Sequence, residues 1–207
     1  MLEGYPQKKV TKPFQLVAGH PVLDLVNTLD WRFRETGPEE LLVGYDDLLR
    51  FSAQSMLLTA RQAQRLREVP PSIAGKVLRS TKDLREATSQ ILYAIMDART
   101  PPVGAIKKLD QHIRNAQANR TLRWSQSRLE LSWPGTQADA QLPLWLLAQS
   151  AFDLLTGETM QRLRSCDNPE CRWLFLDTSK NHTRRWCDMK LCGNRMKARR
   201  FKAQHSA

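Results

Sequence analysis

The chain has 207 residues, of which 41% are hydrophobic and 26% are charged. This composition provides enough apolar material for one or two folded domains and excludes a chain that is disordered throughout. The formal charge of +11 is concentrated at one end, because residues 166–207 carry ten Lys and Arg against four Asp and Glu. Such an excess favours a polyanionic partner, although a solvated basic tail would have the same composition.

The sequence contains no segment that predicts export or membrane insertion. The longest stretch without a charge, 140–152, has 13 residues, whereas a helix needs about 17–25 residues to cross a bilayer. The opening MLEGYPQKKV lacks the apolar run and cleavage site of a secretory signal. We therefore expect a cytoplasmic protein with no membrane partner.

Most of the chain before residue 160 has patterns typical of helices. Apolar residues recur at helical spacing, and Pro70-Pro71 and Pro101-Pro102 mark the ends of segments. Apolar and polar residues alternate over 122–133, which predicts two short strands. In chain order, the predicted helices cover 21–31, 45–55, 59–68, 72–98, 103–118 and 142–164.

The first predicted helix has three polar residues on one face. Asp24, Asn27 and Thr28 stand at i, i+3 and i+4, so together they could bind a ligand. They could also bond to neighbouring backbone, which is the commoner role of buried polar groups and the one we favour. An acid/base site from His20, Asp24 and Asp30 has no supporting nucleophile elbow, phosphate loop or His-rich spacing, so we expect no catalytic residues and no enzyme.

All four cysteines lie near the C-terminus in two pairs. Cys166 and Cys171 form one C-x4-C pair, Cys187 and Cys192 form another, and fifteen residues separate the pairs. In an intracellular chain, clustered cysteines are more often metal ligands than disulfides. Because zinc takes four thiolates tetrahedrally, we predict one Zn²⁺ on this set of four cysteines. An iron or iron–sulfur site is a less favoured alternative because the spacing differs, and disulfides are less favoured still.

The residues around the cysteines predict a small module that depends on its metal. The sequence WLFLDTS at 173–179 is typical of a strand entering a turn. We therefore expect a knuckle at the first pair, a hairpin in the middle and a helix after the second pair, in a treble-clef-like arrangement. The residues expected to pack beneath the metal are Trp173, Leu174, Phe175 and Trp186. The predicted fold class is mainly α, with a helical domain and a short β-hairpin at 1–160 and the zinc module at 161–207.

A basic helix is predicted to follow the last cysteine. Gly193 permits a positive φ or a close approach, and Asn194 can cap a helix that begins there. At about 100° per residue, one side of this helix carries a basic ridge, defined as Arg195, Arg199 and Lys202. Grouped cations suit phosphate binding, so we predict a duplex DNA partner, with a zinc-stabilised protein–protein or RNA-binding adaptor as the alternative. The predicted DNA-binding residues are Arg184, Arg185, Arg195, Lys197, Arg199, Arg200 and Lys202.

Two stretches resemble known families. The sequence RSCDNPECRWLFLDTSKNHTRRWCDMKLCGNRMKARR at 164–200 resembles the CGNR zinc finger, named for the tetrapeptide that begins at Cys192. Lys180 and Asp188 stand where typical members have Arg and Ser. The resemblance implies a DNA-binding module of bacterial transcription regulators.

The second stretch, GHPVLDLVNTLDWR at 19–32, resembles the opening of the ABATE domain, in which a Gly turn precedes an LDFVNT-like helix start. That domain commonly precedes a CGNR finger. The resemblance implies a stress-responsive regulator that is associated with the nucleoid when bound to DNA. A regulator needs an input, so we expect the helical domain to bind a small-molecule effector or to form a homodimer.

Overall fold

Helices dominate the computed structural model, which describes residues 12–133 and 139–205. Within these residues the α-helices are α1 (Pro21–Asn27), α2 (Tyr45–Gln54), α3 (Ala60–Leu66), α4 (Pro71–Met96), α5 (Val103–Ala118), α6 (Leu142–Thr156) and α7 (Asn194–His205). The antiparallel strand pairs are β1 (Leu29–Asp30) with β2 (Glu39–Glu40), β3 (Thr121–Ser125) with β4 (Arg128–Ser132), and β5 (Leu163–Ser165) with β6 (Leu174–Leu176). The predicted mainly α fold class, with a short β-hairpin and a C-terminal cysteine module, is confirmed.

The core of the helical domain forms where α1, α4, α5 and α6 pack together. Helix α6 is apolar on most of its surface, because LPLWLLAQSAFDLLT contains a single charged residue, and such a helix is stable only when surrounded. Trp145 and Leu147 of α6 are buried, as are Leu84 and Leu92 of α4. Each buried side chain of this size contributes about 1.5–3 kcal/mol relative to exposure.

Two predicted helices end earlier than expected. The helix predicted over 21–31 stops at Asn27, where the Thr28 hydroxyl donates to Leu25 O at 2.6 Å and the chain turns into β1. The helix predicted over 142–164 stops at Thr156. The next residue, Gly157, is extended and lies so close to the helix end that a Cβ there would be 2.6 Å from Asp153 O, so the position requires glycine. The other predicted helices agree with the structure to within two residues at each end.

The hairpin of the cysteine module lies earlier in the chain than predicted. Strand β6 pairs with β5, which precedes Cys166, so the first cysteine pair occupies the turn of this hairpin. A 3₁₀ turn at Glu158–Arg162 leads into β5. The module therefore begins on a strand that is joined to α6 by one short turn.

Strand β6 is hydrogen-bonded along both of its edges. One edge pairs with β5, and the other faces α1. The Asn27 amide donates to Leu174 O at 2.9 Å and accepts the Leu174 N–H at 3.0 Å. The Leu176 N–H donates to Ala18 O at 2.8 Å. Asn27 thus satisfies a buried strand edge that would otherwise lack partners.

Contacts from α4 hold the first cysteine pair against the helical domain. The Tyr93 hydroxyl donates to Arg172 O at 3.1 Å, and the Arg172 guanidinium lies 2.6 Å from the Asp97 carboxylate. Arg172 directly follows Cys171, so these bonds act on the backbone of a cysteine. The cysteine module is therefore docked on the helical domain.

We expect Asn27→Ala to lower the free energy of unfolding by about 3 kcal/mol, since each buried backbone group left without a partner costs about 1–3 kcal/mol. Urea unfolding of the zinc-loaded protein measures the change. Asn115→Ala, at an exposed position of α5, is the matched control. Equal stabilities of the two variants would contradict the role assigned to Asn27.

Candidate metal centre and basic helix

The four cysteine sulfurs form one buried cluster. No two sulfur atoms are more than 4.8 Å apart, and each residue is at most 3% exposed. Cys171 Sγ lies 3.7 Å from Cys187 Sγ, whereas sulfurs bound to one tetrahedral zinc at about 2.3 Å are separated by about 3.8 Å. A disulfide would require about 2.05 Å. The donor set therefore fits one zinc ion held by Cys166, Cys171, Cys187 and Cys192.

Each cysteine pair is positioned by backbone hydrogen bonds. In the turn of the β5–β6 hairpin, the Cys166 N–H donates to Trp173 O at 2.9 Å and the Cys171 N–H donates to Asn168 O at 3.0 Å. In the second pair, Cys192 lies in a π-helical turn at Met189–Gly193, and its N–H donates to Asp188 O at 3.0 Å. The knuckle and the helical approach predicted for the two pairs are both present.

The electrostatics of the cysteine cluster favour a bound cation. The neighbouring thiols, Cys166 foremost, together with burial raise the pKa of Cys171 far above its usual range. Hydrogen bonds from the other three thiols lower the pKa of Cys192. A metal-free cluster therefore ionises unevenly, and a dication is needed before all four thiolates can coexist.

Two side chains that support the ligands were not singled out from the sequence for this role. Asn168 is fully buried and directs its Nδ2 toward Cys192 Sγ at 3.5 Å, while its Oδ1 accepts the Glu170 N–H. Asp188 caps the turn that holds Cys192, because its Oδ1 accepts the Leu191 N–H at 2.9 Å. Such outer contacts orient metal ligands. Their signal in the sequence is only an Asn and an Asp close to cysteines.

The predicted roles of Gly193 and Asn194 need one correction. Asn194 does not cap the last helix, because it has helical backbone angles and is the first residue of α7. Asp188 supplies the capping carboxylate one turn earlier. Gly193 allows a close approach, since a Cβ there would displace the exposed end of the Met189 side chain and lie 3.2 Å from the Trp186 ring.

Aromatic residues pack in the same core as the cysteine cluster, as the sequence indicates. Trp173, Leu174 and Phe175 are buried, and Trp186 is partly buried against them. These side chains continue into the core of the helical domain. The metal module and the helical domain therefore share one apolar core.

The two predicted DNA-binding arginines before Cys187 have partners within the protein. Arg184 is half-buried and lies 4.2 Å above the Phe175 ring. Its guanidinium donates to Val17 O at 3.1 Å and also to the backbone oxygens of Trp186 and Cys187. Arg185 is exposed and lies 2.6 Å from the Asp167 carboxylate. Arg184 thus connects the second cysteine pair to the helical domain.

Helix α7 exposes its predicted cations. Its described residues include none that is buried. On the basic ridge, the Arg195 guanidinium lies 4.5 Å from the Trp31 ring centre and Arg199 lies 2.8 Å from Glu170. Lys197 and Arg200, predicted on the opposite side, are exposed, as is Lys202. The ridge is therefore next to both the cysteine knuckle and the helical domain.

The candidate ligand-binding residues of α1 contact protein groups. The Ala18 N–H donates to Asp24 Oδ1 at 3.0 Å, and Arg85 donates to the Thr28 hydroxyl at 3.1 Å. Burial raises the pKa of Asp24 to about 6. The cavity that Asp24, Asn27 and Thr28 help to line has a volume of about 10 Å³, which is room for at most about one water.

The fold and its centre define a helical domain that carries a treble-clef-like zinc finger. Two family models match the chain in that order: ABATE, described as Putative stress-induced transcription regulator, over residues 19–158, and the CGNR zinc finger over residues 162–205. The protein belongs to the ABATE family and has a C-terminal CGNR zinc finger. Among curated proteins, no relative matches this sequence. Among the described residues, no helix is both long enough and apolar enough to cross a membrane.

We expect the purified protein to bind one zinc ion and Cys187→Ser to lose it, because three thiolates leave the tetrahedral set incomplete. Metal analysis by mass spectrometry gives the stoichiometry and distinguishes zinc from iron. Circular dichroism should show loss of structure in the variant, since zinc contributes about 10–16 kcal/mol of apparent binding energy in finger peptides.

His182→Ala is the matched control for this experiment. His182 is an exposed potential metal ligand in the same module, outside the four-sulfur cluster. Retention of full zinc content by Cys187→Ser, or its loss from His182→Ala, would contradict the assigned ligand set.

Proposed function

We propose that the protein is a zinc-dependent transcription regulator whose finger binds duplex DNA through α7. The observation that carries this proposal is the composition of that helix. It has five Lys and Arg and no Asp or Glu, and it begins two residues after a zinc ligand. The family membership supports a regulatory role.

Zinc would act by fixing the start of the binding helix. When bound, the ion would join the Cys192 sulfur to the sulfurs of the other three cysteines. The orientation of α7 would then follow from the geometry of the metal site. Four thiolates and Zn²⁺ together carry a charge of about −2, which leaves the finger positively charged. Each phosphate neutralised by a Lys or Arg releases a counterion, so affinity should fall steeply with salt.

A cleft in the helical domain is the proposed site for a small-molecule effector. It has a volume of about 470 Å³ and lies between α4 and the knuckle. Arg32, Tyr93 and Arg172 contribute to its walls. A ligand there would contact Arg172, the residue after Cys171, and so could influence the metal module.

The β3–β4 hairpin is the proposed surface for contact with a second copy of the chain. Cross-strand neighbours Trp124 and Leu129 are 72% and 61% exposed, and Leu122 and Leu131 form the next apolar pair on the same face. An isolated two-stranded hairpin of this kind gains stability when its apolar face is covered. The same surface favours, as the second candidate function, a zinc-stabilised protein–protein adaptor.

We expect the zinc-loaded protein to bind mixed-sequence duplex DNA at low salt, with log K falling against log salt at a slope of about −4.5 if about five phosphates are contacted. Fluorescence anisotropy at several salt concentrations measures the slope. Cys187→Ser should bind much more weakly because its α7 has lost its anchor.

Single-stranded DNA and RNA at matched salt are the comparison arms. Tighter binding to RNA than to duplex DNA would favour an RNA-binding adaptor instead. Absence of duplex binding at low salt by protein with full zinc content would overturn the proposal, as would undiminished binding by Cys187→Ser.

Native mass spectrometry tests the proposed effector site and the proposed dimer together. We expect a dimer that Trp124→Ser shifts toward monomer, and a bound metabolite that Arg32→Ala releases. His112→Ala, at a partly buried position of α5, is the control. A wild-type monomer at all concentrations would overturn the dimer proposal, and a ligand retained by Arg32→Ala would overturn the effector site.

A further inference from the structure

The ring of Trp31 lies at the junction of the helical domain and α7. Trp31 follows β1 with a left-handed backbone (φ 51°), which is rare for a bulky residue and is retained only where the surroundings impose it. Two guanidinium groups lie against its ring. Arg34 of the same loop is 4.1 Å from a ring centre and Arg195 of α7 is 4.5 Å from one.

The two arginines on this ring are available for further contacts. The ion pairs of the described residues occupy Arg32 with Glu86 and Arg199 with Glu170, but include neither Arg34 nor Arg195. The nearby carboxylate of Asp30 accepts the Trp31 N–H at 2.7 Å and attracts Arg34 from beyond ion-pair distance.

The Trp31 ring restricts the orientation of both guanidinium groups. A cation over an indole is attracted by the ring face without losing its hydrogen-bond donors. Guanidinium donors have the fork geometry that matches phosphate. A guanidinium already held in place loses less conformational entropy when it binds. Arg34, Trp31 and Arg195 therefore form a preorganised cationic group that spans the two parts of the protein.

We propose that the nucleic-acid-binding surface extends from α7 onto the helical domain. Trp31 is a positioning residue that orients Arg195, and Arg34 contacts a phosphate of the duplex. This inference rests on the proposed DNA-binding function and adds to it a partner surface outside the zinc finger. It also selects the basic ridge as the side of α7 that faces DNA.

Anisotropy titration of the full zinc-loaded chain with a mixed-sequence duplex tests the role of Arg34. We expect Arg34→Ala to weaken binding about five- to tenfold at about 0.1 M salt and to reduce the salt slope by about one, because one phosphate contact is lost. Arg114→Ala removes the same charge from an exposed position of α5 and should change neither quantity appreciably.

A double-mutant cycle tests the positioning role of Trp31. Trp31→Ala should weaken binding about two- to fivefold, the value of one exposed cation–π contact, and Trp31→Phe should restore most of it. In an Arg195→Ala background, Trp31→Ala should have a clearly smaller effect, since only the contact of the ring with Arg34 is left to lose. Zinc content and the thermal unfolding midpoint identify any variant whose loss of binding comes from misfolding.

The outcomes separate this inference from the proposed function. If the wild-type protein binds no duplex, the proposed function fails and this inference fails with it. If the wild type binds and Arg34→Ala behaves like Arg114→Ala, the proposed extension of the DNA-binding surface onto the helical domain is overturned. The finger then remains a DNA-binding module. Equal effects of Trp31→Ala with and without Arg195 would overturn the positioning role.

Discussion

The structure depends on a short strand, β6, that is paired on both sides. On one side β5 completes the hairpin that presents the first cysteine pair. On the other side Asn27 bonds the backbone of Leu174 through both ends of its amide. The strand is buried at every position, so each of these backbone groups needs a partner within the protein. The metal centre and the helical domain are thereby fixed to the same three residues.

The metal site lies next to β6, so the charge of the thiolates and the backbone hydrogen bonds of the strand affect the same region. Zinc would balance the four thiolates, two of which lie in the turn of the β5–β6 hairpin, and Asn168 in that turn donates toward Cys192 Sγ. Arg184 connects the second cysteine pair with Val17 of the helical domain. Removing the metal would break the bonds that join the two cysteine pairs, next to the strand that connects the two parts. The free energy of metal binding is therefore coupled to the docking of the two parts.

Much of the architecture could be predicted from sequence because it depends on local patterns. Helix α4 has a long apolar stripe, and the metal ligands stand in two closely spaced cysteine pairs. The ends of α1 and α6 could not be predicted in this way, because Gly157 matters only through a backbone oxygen one turn earlier. The partners of Asn27 and Arg184 were also beyond prediction, since Asn27 bonds a residue 147 positions away. Charge alone did not distinguish Arg184, which donates hydrogen bonds to backbone oxygens of the protein, from the exposed cations of α7.

The pairing of β6 limits how far the finger can be treated as a transferable unit. Cut out before residue 162, it would retain its cysteines and its basic helix but would expose the Leu174 edge and the aromatic residues next to it. An open strand edge with apolar side chains is a template for pairing with other chains. A chimaera that grafts this finger onto another protein would therefore need a substitute for α1, and natural recombination of the two parts would be constrained in the same way.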